Sequence, residues 1–565
     1  MHVSYFRQKG KTIVIERKVT VEKAALLKDI NLSALFSIDE PTRIYQYGPF
    51  ASHLLGYVNN EFVGVNGVAK YYEDELNGEE GSRLVERDAI GRVITFSDEE
   101  TKAAITGDNL ILTIDRNYQA ILEEELKLGL QKYRGRSATG ILMDPNTGEI
   151  LALANMDDFD PNKYWKFDDY QRKNRAITDT YEPGSTFKAF TVAALIEKDK
   201  CYENEMVNVE NGKYKFINTN IYDTHKFQYL TVKGILEESS NIGITKLIQR
   251  LDNDTYYKYL RGFGFGTFTS VTLPGEVNGT LKKPNRWSKY TKTFMSFGYE
   301  ISVTPMQLIS AFSAVINGGI LYEPHILKER TDKNGIVLFE SSPVAVRRVI
   351  SEESSSRVRK MLRGVVRDGT GSLADTKLIP VGGKTGTSQK LVNGKYSKSK
   401  YVVSFIGFFP ADNPQLVCLI IVNAPEEDKY GGKVAAPIFK NITERILETN
   451  LKKFQKPEEF KTNKNFETKM VSTTNEKEIT PDMINVVNVS SNYPNSENQK
   501  ILMPDLRGHT VKDALITLNL LGLNYDINGS GMVTWQSIEP GIEIKQNQVC
   551  KINCSETTIS GVNIY

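Results

Sequence analysis

No apolar run in the 565 residues approaches the roughly 18 needed to cross a membrane. The N-terminal stretch MHVSYFRQKGKTIVIERKV also lacks the apolar core of a signal peptide, so read literally the chain would be soluble. There is no excess of either charge. The 71 basic and 69 acidic residues leave a net charge of +2, which gives no reason to expect nucleic acid as a partner. Cysteine is scarce: Cys201, Cys418, Cys550 and Cys554 are too few and too scattered for a disulfide framework. Cys550 and Cys554 stand four apart in CKINC. If that segment is a strand, they are separated by roughly 13 Å, too far to bridge. No cluster of His, Cys and Glu points to a metal, and no feature calls for a cofactor.

What is present is a long, compositionally ordinary chain whose length suggests three or four units. Residues 1–100 mix short strand-like and helical pieces with many glycines. ATGILMDPNTGEILALAN (138–155) reads as a β-hairpin turning at Asp144 to Gly148. Helical patterns then dominate from about 185 to 365, including FKAFTVAALIEK, ILEESSNIGITKLIQRL and PMQLISAFSAVI. Strands return with IPVGGKTGTSQK, YVVSFIGFFP and QLVCLIIVNA. A strand pair, a helical block and further strands predict a layered α+β or α/β domain, whose sheet is closed by distant segments. From 453 to 499 the chain is polar, aperiodic and rich in Asn, Lys, Glu and Ser, as a linker would be. Residues 500–556 hold a helix-like VKDALITLNLLG between strand-like pieces, a small βαββ unit, and 557–565 form a tail.

Three short motifs could carry chemistry. In EPGSTFK, Ser185 and Lys188 stand three apart at the opening of an apolar helical pattern. That spacing puts both side chains on one helix face, about 5–6 Å apart at Cβ, so the amine can take the hydroxyl proton. The first turn of a helix also offers free N–H groups to a developing oxyanion. SSN places Ser239 and Asn241 at a break between helical runs, able to present a hydroxyl and an amide to one cleft; a helix N-cap is the alternative. GGKTGT, read as an alternating strand, sends Lys384 and Gly386 to one face and Thr385 and Thr387 to the other. Each motif alone is weak. Ser-x-x-Lys recurs at Ser397 and Lys400 in the polar loop YSKSKY, and SSN recurs at 490–492. Gly383-Lys384-Thr385 matches the end of a phosphate-binding loop, but Leu378 stands where that loop needs glycine. Other serine chemistries fit poorly. G-x-S-x-G is absent, and none of His2, His53, His225, His325 and His509 lies within a dozen residues of Ser185.

The order Ser-x-x-Lys, Ser-x-Asn, Lys-Thr-Gly is a different matter, because it is the signature of penicillin-binding proteins and related β-lactamases. With these residues the chain resembles the class B penicillin-binding proteins. The likeness extends to YLRGFGFGTFTSVTLPGE (259–276), SFGYEISVTPMQL (296–308), GTGSLAD (369–375) and YGGKVAAPIF (430–439). ASHLLGYV (51–58) and the stretch from Gly67 to Gly91 resemble the end of the family's N-terminal pedestal. MPDLRG…LLGL…SIEPG (503–541) resembles a PASTA module. The resemblance spans residues 15–450 and 500–555. It implies an α+β multidomain fold: a pedestal over 1–100, a transpeptidase domain over 101–452 with a helix-flanked sheet and a helical subdomain, and PASTA over 500–556.

The resemblance also implies roles. Ser185 would be the acylated nucleophile and Lys188 its general base, while Ser239 would relay protons toward the leaving amine. Asn241, Lys384, Thr385, Gly386 and Thr387 would bind substrate, the two threonines and Lys384 through its terminal carboxylate. The N–H groups of Ser185 and Thr387 would form the oxyanion hole. The substrates would be peptidoglycan stem peptides, a D-Ala-D-Ala donor and an amine acceptor, and β-lactams would acylate Ser185 as mimics. Burial and the like charge of Lys384 are expected to lower the pKa of Lys188. The PASTA module points to division or sporulation, with a SEDS-family membrane glycosyltransferase and the division machinery as partners. Family members begin with a cytoplasmic tail, a membrane helix and an Arg-Gly…Asp-Arg-Asn-Gly segment; none of these is in this sequence. An anchor in the bacterial cytoplasmic membrane, with the catalytic domain outside, is therefore expected beyond this sequence. Two positions depart from the family pattern: Glu300 replaces a usual glycine, and Ala69 an often acidic residue. A D,D-carboxypeptidase or β-lactamase on the same fold, or a non-catalytic β-lactam sensor or wall-binding scaffold, are the rival readings.

Overall fold

The computed structural model describes residues 15–16, 19, 21–29, 42–79, 81–89, 93–392, 394–454 and, with gaps, 502–555. The second SSN, at 490–492, and nearly all of the expected linker and tail lie outside them. Two compact units divide the chain, residues 1–464 and 465–565.

The first unit is built on a five-stranded antiparallel sheet in the order Gly382–Val392, Lys395–Phe409, Leu416–Asn423, Ser137–Met143, Ile150–Met156. The expected hairpin thus supplies two strands on one side, and the later segments close the sheet from more than two hundred residues away. The continuous apolar run LVCLIIV is explained by burial on both faces. Val417, Leu419 and Ile421 enter one core, and Leu416, Cys418, Ile420 and Val422 the other. Helices Arg116–Tyr133 and Gly431–Phe454 cover the second face. The first face carries the helical block: Lys188–Glu197, Asn241–Ile248, Pro305–Ile316 and Glu352–Arg367. Pro305 occupies the first turn of its helix, and Thr304 and Gln307 cap it reciprocally, so the apolar run PMQLISAFSAVI starts where its sequence says it should.

Residues 51–72 and 109–112 pack on the rest of this unit. Leu54, Val68 and Tyr72 belong to the same apolar core as Phe187 and Phe190. Asn109–Leu112 pairs with Leu327–Thr331, and Glu123 Oε1 accepts Ala51 N at 2.7 Å. Buried His53 donates from Nε2 to Gln171 O at 2.6 Å and packs edge-on against Phe159.

In the second unit, Asn524–Asn528 runs parallel to Val549–Ser555, with Met532–Gln536 antiparallel on its other side. The Met532–Gln536 strand had no distinct sequence signal. Of the expected helix, Ala514, Thr517 and Leu518 are described and helical, and Ala514 and Leu518 are buried with Met503, Leu506 and Ile552. Cys550 and Cys554 lie on one strand and are both free thiols, as the strand geometry predicts.

Candidate active site

The serine lies where a left-handed glycine reverses the chain. Gly184, at φ 59°, donates its N–H to Gly298 O at 3.1 Å. A Cβ at Gly298 would come within 2.2 Å of Gly184 O, so the two backbones meet only because residue 298 is glycine, while a Cβ at Gly184 would meet Thr387 O at 2.8 Å. Gly184–Phe187 then form a 3₁₀ turn, and the α-helix begins at Lys188. Ser185 was expected in the first α-helical turn and sits in this tighter turn instead. Residues three apart eclipse in a 3₁₀ geometry, so Ser185 and Lys188 keep a common side. Ser185 is half-buried, and its hydroxyl forms no hydrogen bond to any described residue.

Lys188 is fully buried, and its amine is directed at the Ser-x-Asn turn. It donates to Ser239 O at 2.5 Å, Asn241 Oδ1 at 2.7 Å and Ser239 Oγ at 3.2 Å. Three donors therefore have three acceptors, none of them Ser185. A neutral amine would release one acceptor and gain a lone pair able to receive the Ser185 proton. Burial lowers the Lys188 pKa to about 7, opposed by the negative charge of Asp223.

Lys384, from the strand Gly382–Val392, reaches the same hydroxyl: its Nζ donates to Ser239 Oγ at 3.1 Å. The amine is fully buried and has no carboxylate partner among the described residues. Burial, and then the charge of Lys188, hold its pKa well below the ordinary lysine value. Burial is thus the leading cause of the lowered pKa at both amines. Alternation along the strand is as read from the sequence. Gly386 packs toward Pro183 and Thr186 beneath the serine, where a Cβ would meet Thr186 Cγ2 at 2.9 Å. On the other side, Thr385 Oγ1 lies 3.1 Å from Thr370 Oγ1, and Thr387 Oγ1 accepts Gly431 N at 3.1 Å. Because Thr387 Oγ1 is an acceptor there, its own O–H remains free to donate to a ligand.

Thus Ser185, Lys188, Ser239, Asn241, Lys384, Thr385, Gly386 and Thr387 converge on one region. The second Ser-x-x-Lys does not. Ser397 and Lys400 lie in the strand Lys395–Phe409, which the sequence suggested was a loop, and Ser397 Oγ accepts Lys400 N at 3.0 Å. The pairing of Leu391 with Tyr396 and Val392 with Lys395 draws this polar stretch into a hairpin.

Thr370 lies in GTGSLAD but was given no role from the sequence, and Asp223 carried no signal at all. Asp223 follows the hairpin Lys213–Phe216 and Thr219–Tyr222 and binds the Ser-x-Asn turn from outside. Glu300, the departure from the family's glycine, holds a left-handed φ of 57°. Its backbone is fixed by Glu182 Oε1 at 2.8 Å and its carboxylate by Thr291 Oγ1 at 2.7 Å.

Comparison with known proteins extends the picture from the site to the whole chain. Residues 138–444 match the penicillin-binding protein transpeptidase domain, residues 3–112 the penicillin-binding protein dimerisation domain, and residues 501–554 the PASTA domain. Stage V sporulation protein D of Bacillus subtilis is 34% identical over 96% of this chain and 80% of its own length. Peptidoglycan D,D-transpeptidase FtsI of Escherichia coli K12 is 33% identical, covering 78% of this chain and 73% of its own. The crystal structure of penicillin-binding protein 3 from Mycobacterium tuberculosis complexed with ampicillin is 29% identical with a TM-score of 0.66. It covers 73% of this chain and 90% of that one.

Proposed function

The chain belongs to the class B penicillin-binding proteins, and we propose that its peptidoglycan D,D-transpeptidase reaction runs through an acyl-enzyme on Ser185. The observation that carries this assignment is the meeting of Lys188 and Lys384 at the single hydroxyl of Ser239, beside the turn that bears Ser185.

In the first half-reaction Ser185 Oγ attacks the carbonyl carbon between the two D-alanines. Lys188, in its neutral form, takes the hydroxyl proton. The proton then passes through Ser239 Oγ to the departing nitrogen, the C–N bond breaks, and D-alanine leaves. The terminal carboxylate is held by Lys384 and by the hydroxyls of Thr385 and Thr387, with Asn241 on the peptide backbone. The N–H groups of Ser185 and Thr387 receive the oxyanion. In the second half-reaction the amine of a neighbouring stem peptide attacks the ester. It gives up its proton through the same relay, and Ser185 is released with its own proton restored. A β-lactam follows the first half-reaction, but its leaving nitrogen stays tethered, so the acyl-enzyme persists.

Cross-linking acts on stem peptides carried by newly made glycan, so the enzyme works beside a glycan polymerase, which on this reading is a SEDS-family glycosyltransferase within the division or sporulation machinery. The catalytic unit operates on the outer side of the bacterial cytoplasmic membrane. Among the described residues no helix is long and apolar enough to cross it. The deciding experiment is fluorescent-penicillin labelling of the purified protein: the natural chain takes the label and Ser185→Ala does not. Equal labelling of the two would remove Ser185 from the mechanism.

A further inference from the structure

We propose that Asp223 is a positioning residue for this chemistry, fixing the Ser239–Asn241 turn against the amine of Lys188. The proposal rests on the assignment of Ser185 and Lys188 above. From the end of the 213–222 hairpin, the Asp223 carboxylate accepts three hydrogen bonds. Ser240 Oγ binds Oδ2 at 2.5 Å, while Asn241 N and Ile242 N bind Oδ1 at 2.6 and 3.0 Å. All three are charge-assisted, and the two amides are among the first N–H groups of the helix, which have no partner within it. Ser240 Oγ also caps this helix through Gly243 N at 2.9 Å. The helix end therefore has a cap without Asp223; the carboxylate adds a fixed orientation.

That orientation matters because of what lies one residue upstream. Ser239 is held at φ 56°, a left-handed conformation that a residue with a side chain adopts only when its surroundings impose it. In this conformation both Ser239 O and Ser239 Oγ are turned to the Lys188 amine, and Asn241 Oδ1 completes the set. Asn241 is clamped twice more, by Asp223 at its backbone and by Tyr222 O, which accepts its side-chain Nδ2 at 3.0 Å. The hairpin thus grips the turn from one side while Lys188 and Lys384 meet it from the other.

The charged groups facing Lys188 are Asp223 from the hairpin and Lys384 from the sheet. Other polar and charged groups on the neighbouring elements have their own partners: His225 with Glu238 at 3.0 Å, Lys233 with Glu237 at 3.3 Å and Lys246 with Glu210 at 2.7 Å. Asp223 favours the protonated form of Lys188, so removing its charge lets the amine deprotonate at lower pH. A residue that only stabilised the helix would leave that proton equilibrium alone.

The test is the second-order acylation rate with fluorescent penicillin, from roughly pH 5 to 9, for the natural chain, Asp223→Asn and Ser240→Ala, beside thermal melts. Asp223→Asn is expected to lower the plateau rate about tenfold, as for loss of a hydrogen bond to a charged group, and to move the acid limb to lower pH. A profile superimposable on that of the natural chain overturns the proposal, as does a lowered melting temperature with plateau and limb unmoved. If Asp223→Asn does not fold, Ser240→Ala decides. It removes the bond to Asp223 and the cap on Gly243 N but keeps the charge, so the plateau should fall about threefold with the limb in place; an unchanged plateau overturns the proposal. Absence of any label on Ser185 in the natural chain would overturn both the assignment of Ser185 and this role.

Discussion

At the scale of single residues, the site is governed by where buried protons can reside. Lys188 loses its proton near pH 7 because burial outweighs the attraction of Asp223. Only the neutral amine can accept from Ser185, so acylation should fall as pH drops through about 7 and level off above it. A plot of log rate against pH, with unit slope on the acid side and a break near 7, would bear this out. Lys188→Ala should slow acylation by about 10² to 10⁴ while the melting temperature changes little. The variant gives up three hydrogen bonds but also a desolvated amine, and the two effects oppose one another. Gel labelling and calorimetry on the same preparation separate them. The nucleophile, its base and the Lys-Thr-Gly strand were legible in the sequence because each is a short word whose members are close along the chain. Asp223 was not. Its partners lie 17 to 19 residues away, and an aspartate in NIYDTHK reads equally well as a solvated turn.

Among the elements, the serine turn is the one with least room. Gly298, at φ 83°, could carry a Cβ only 2.2 Å from Gly184 O and 2.6 Å from Gly184 N, both backbone atoms that cannot rotate aside. Gly298→Ala should therefore displace the 3₁₀ turn and slow acylation at least tenfold, the effect expected when a nucleophile is moved from its partners. Labelling rates on protein that still melts cooperatively would check it. The docking of Ser52–Leu55 is sensitive to acid. Burial lowers the His53 pKa from 6.5 to about 4, so the folded chain holds the ring neutral where the unfolded chain protonates it. Its stabilising effect is complete above about 6.5 and declines as pH falls, the loss being complete below about 4. The full difference is roughly 3 kcal/mol. Denaturant unfolding of the natural chain and His53→Gln, compared at intervals across that window, should show the variant less pH-dependent. The helices around the site and the Lys-Thr-Gly strand could be read from hydrophobic period; the hairpin Lys213–Phe216 and Thr219–Tyr222, in a stretch that read as mainly helical, could not. Nor could the 3₁₀ turn and the strand over Lys395–Tyr401, since the first depends on contact with Gly298 and the second on a sheet neighbour.

For the whole molecule, the residues assigned to catalysis all lie in the first of the two units. A chain ended after Lys464 should be acylated by penicillin within about twofold of the full-length rate, an interval that spans ordinary surface effects. A larger loss, measured by the same labelling, would make the PASTA-bearing unit a participant in the chemistry. The change of character near residue 452 made this division visible in the sequence, because a polar aperiodic stretch cannot bury enough apolar surface to form a core. What composition could not convey is that residues 54–72 share a core with the catalytic domain. Leu54, Val68 and Tyr72 belong to the same apolar cluster as Phe187 and Phe190, one residue before and two after Lys188. A pull on residues 54–72 should therefore load the same apolar core that backs the Lys188–Glu197 helix, so that the two yield together.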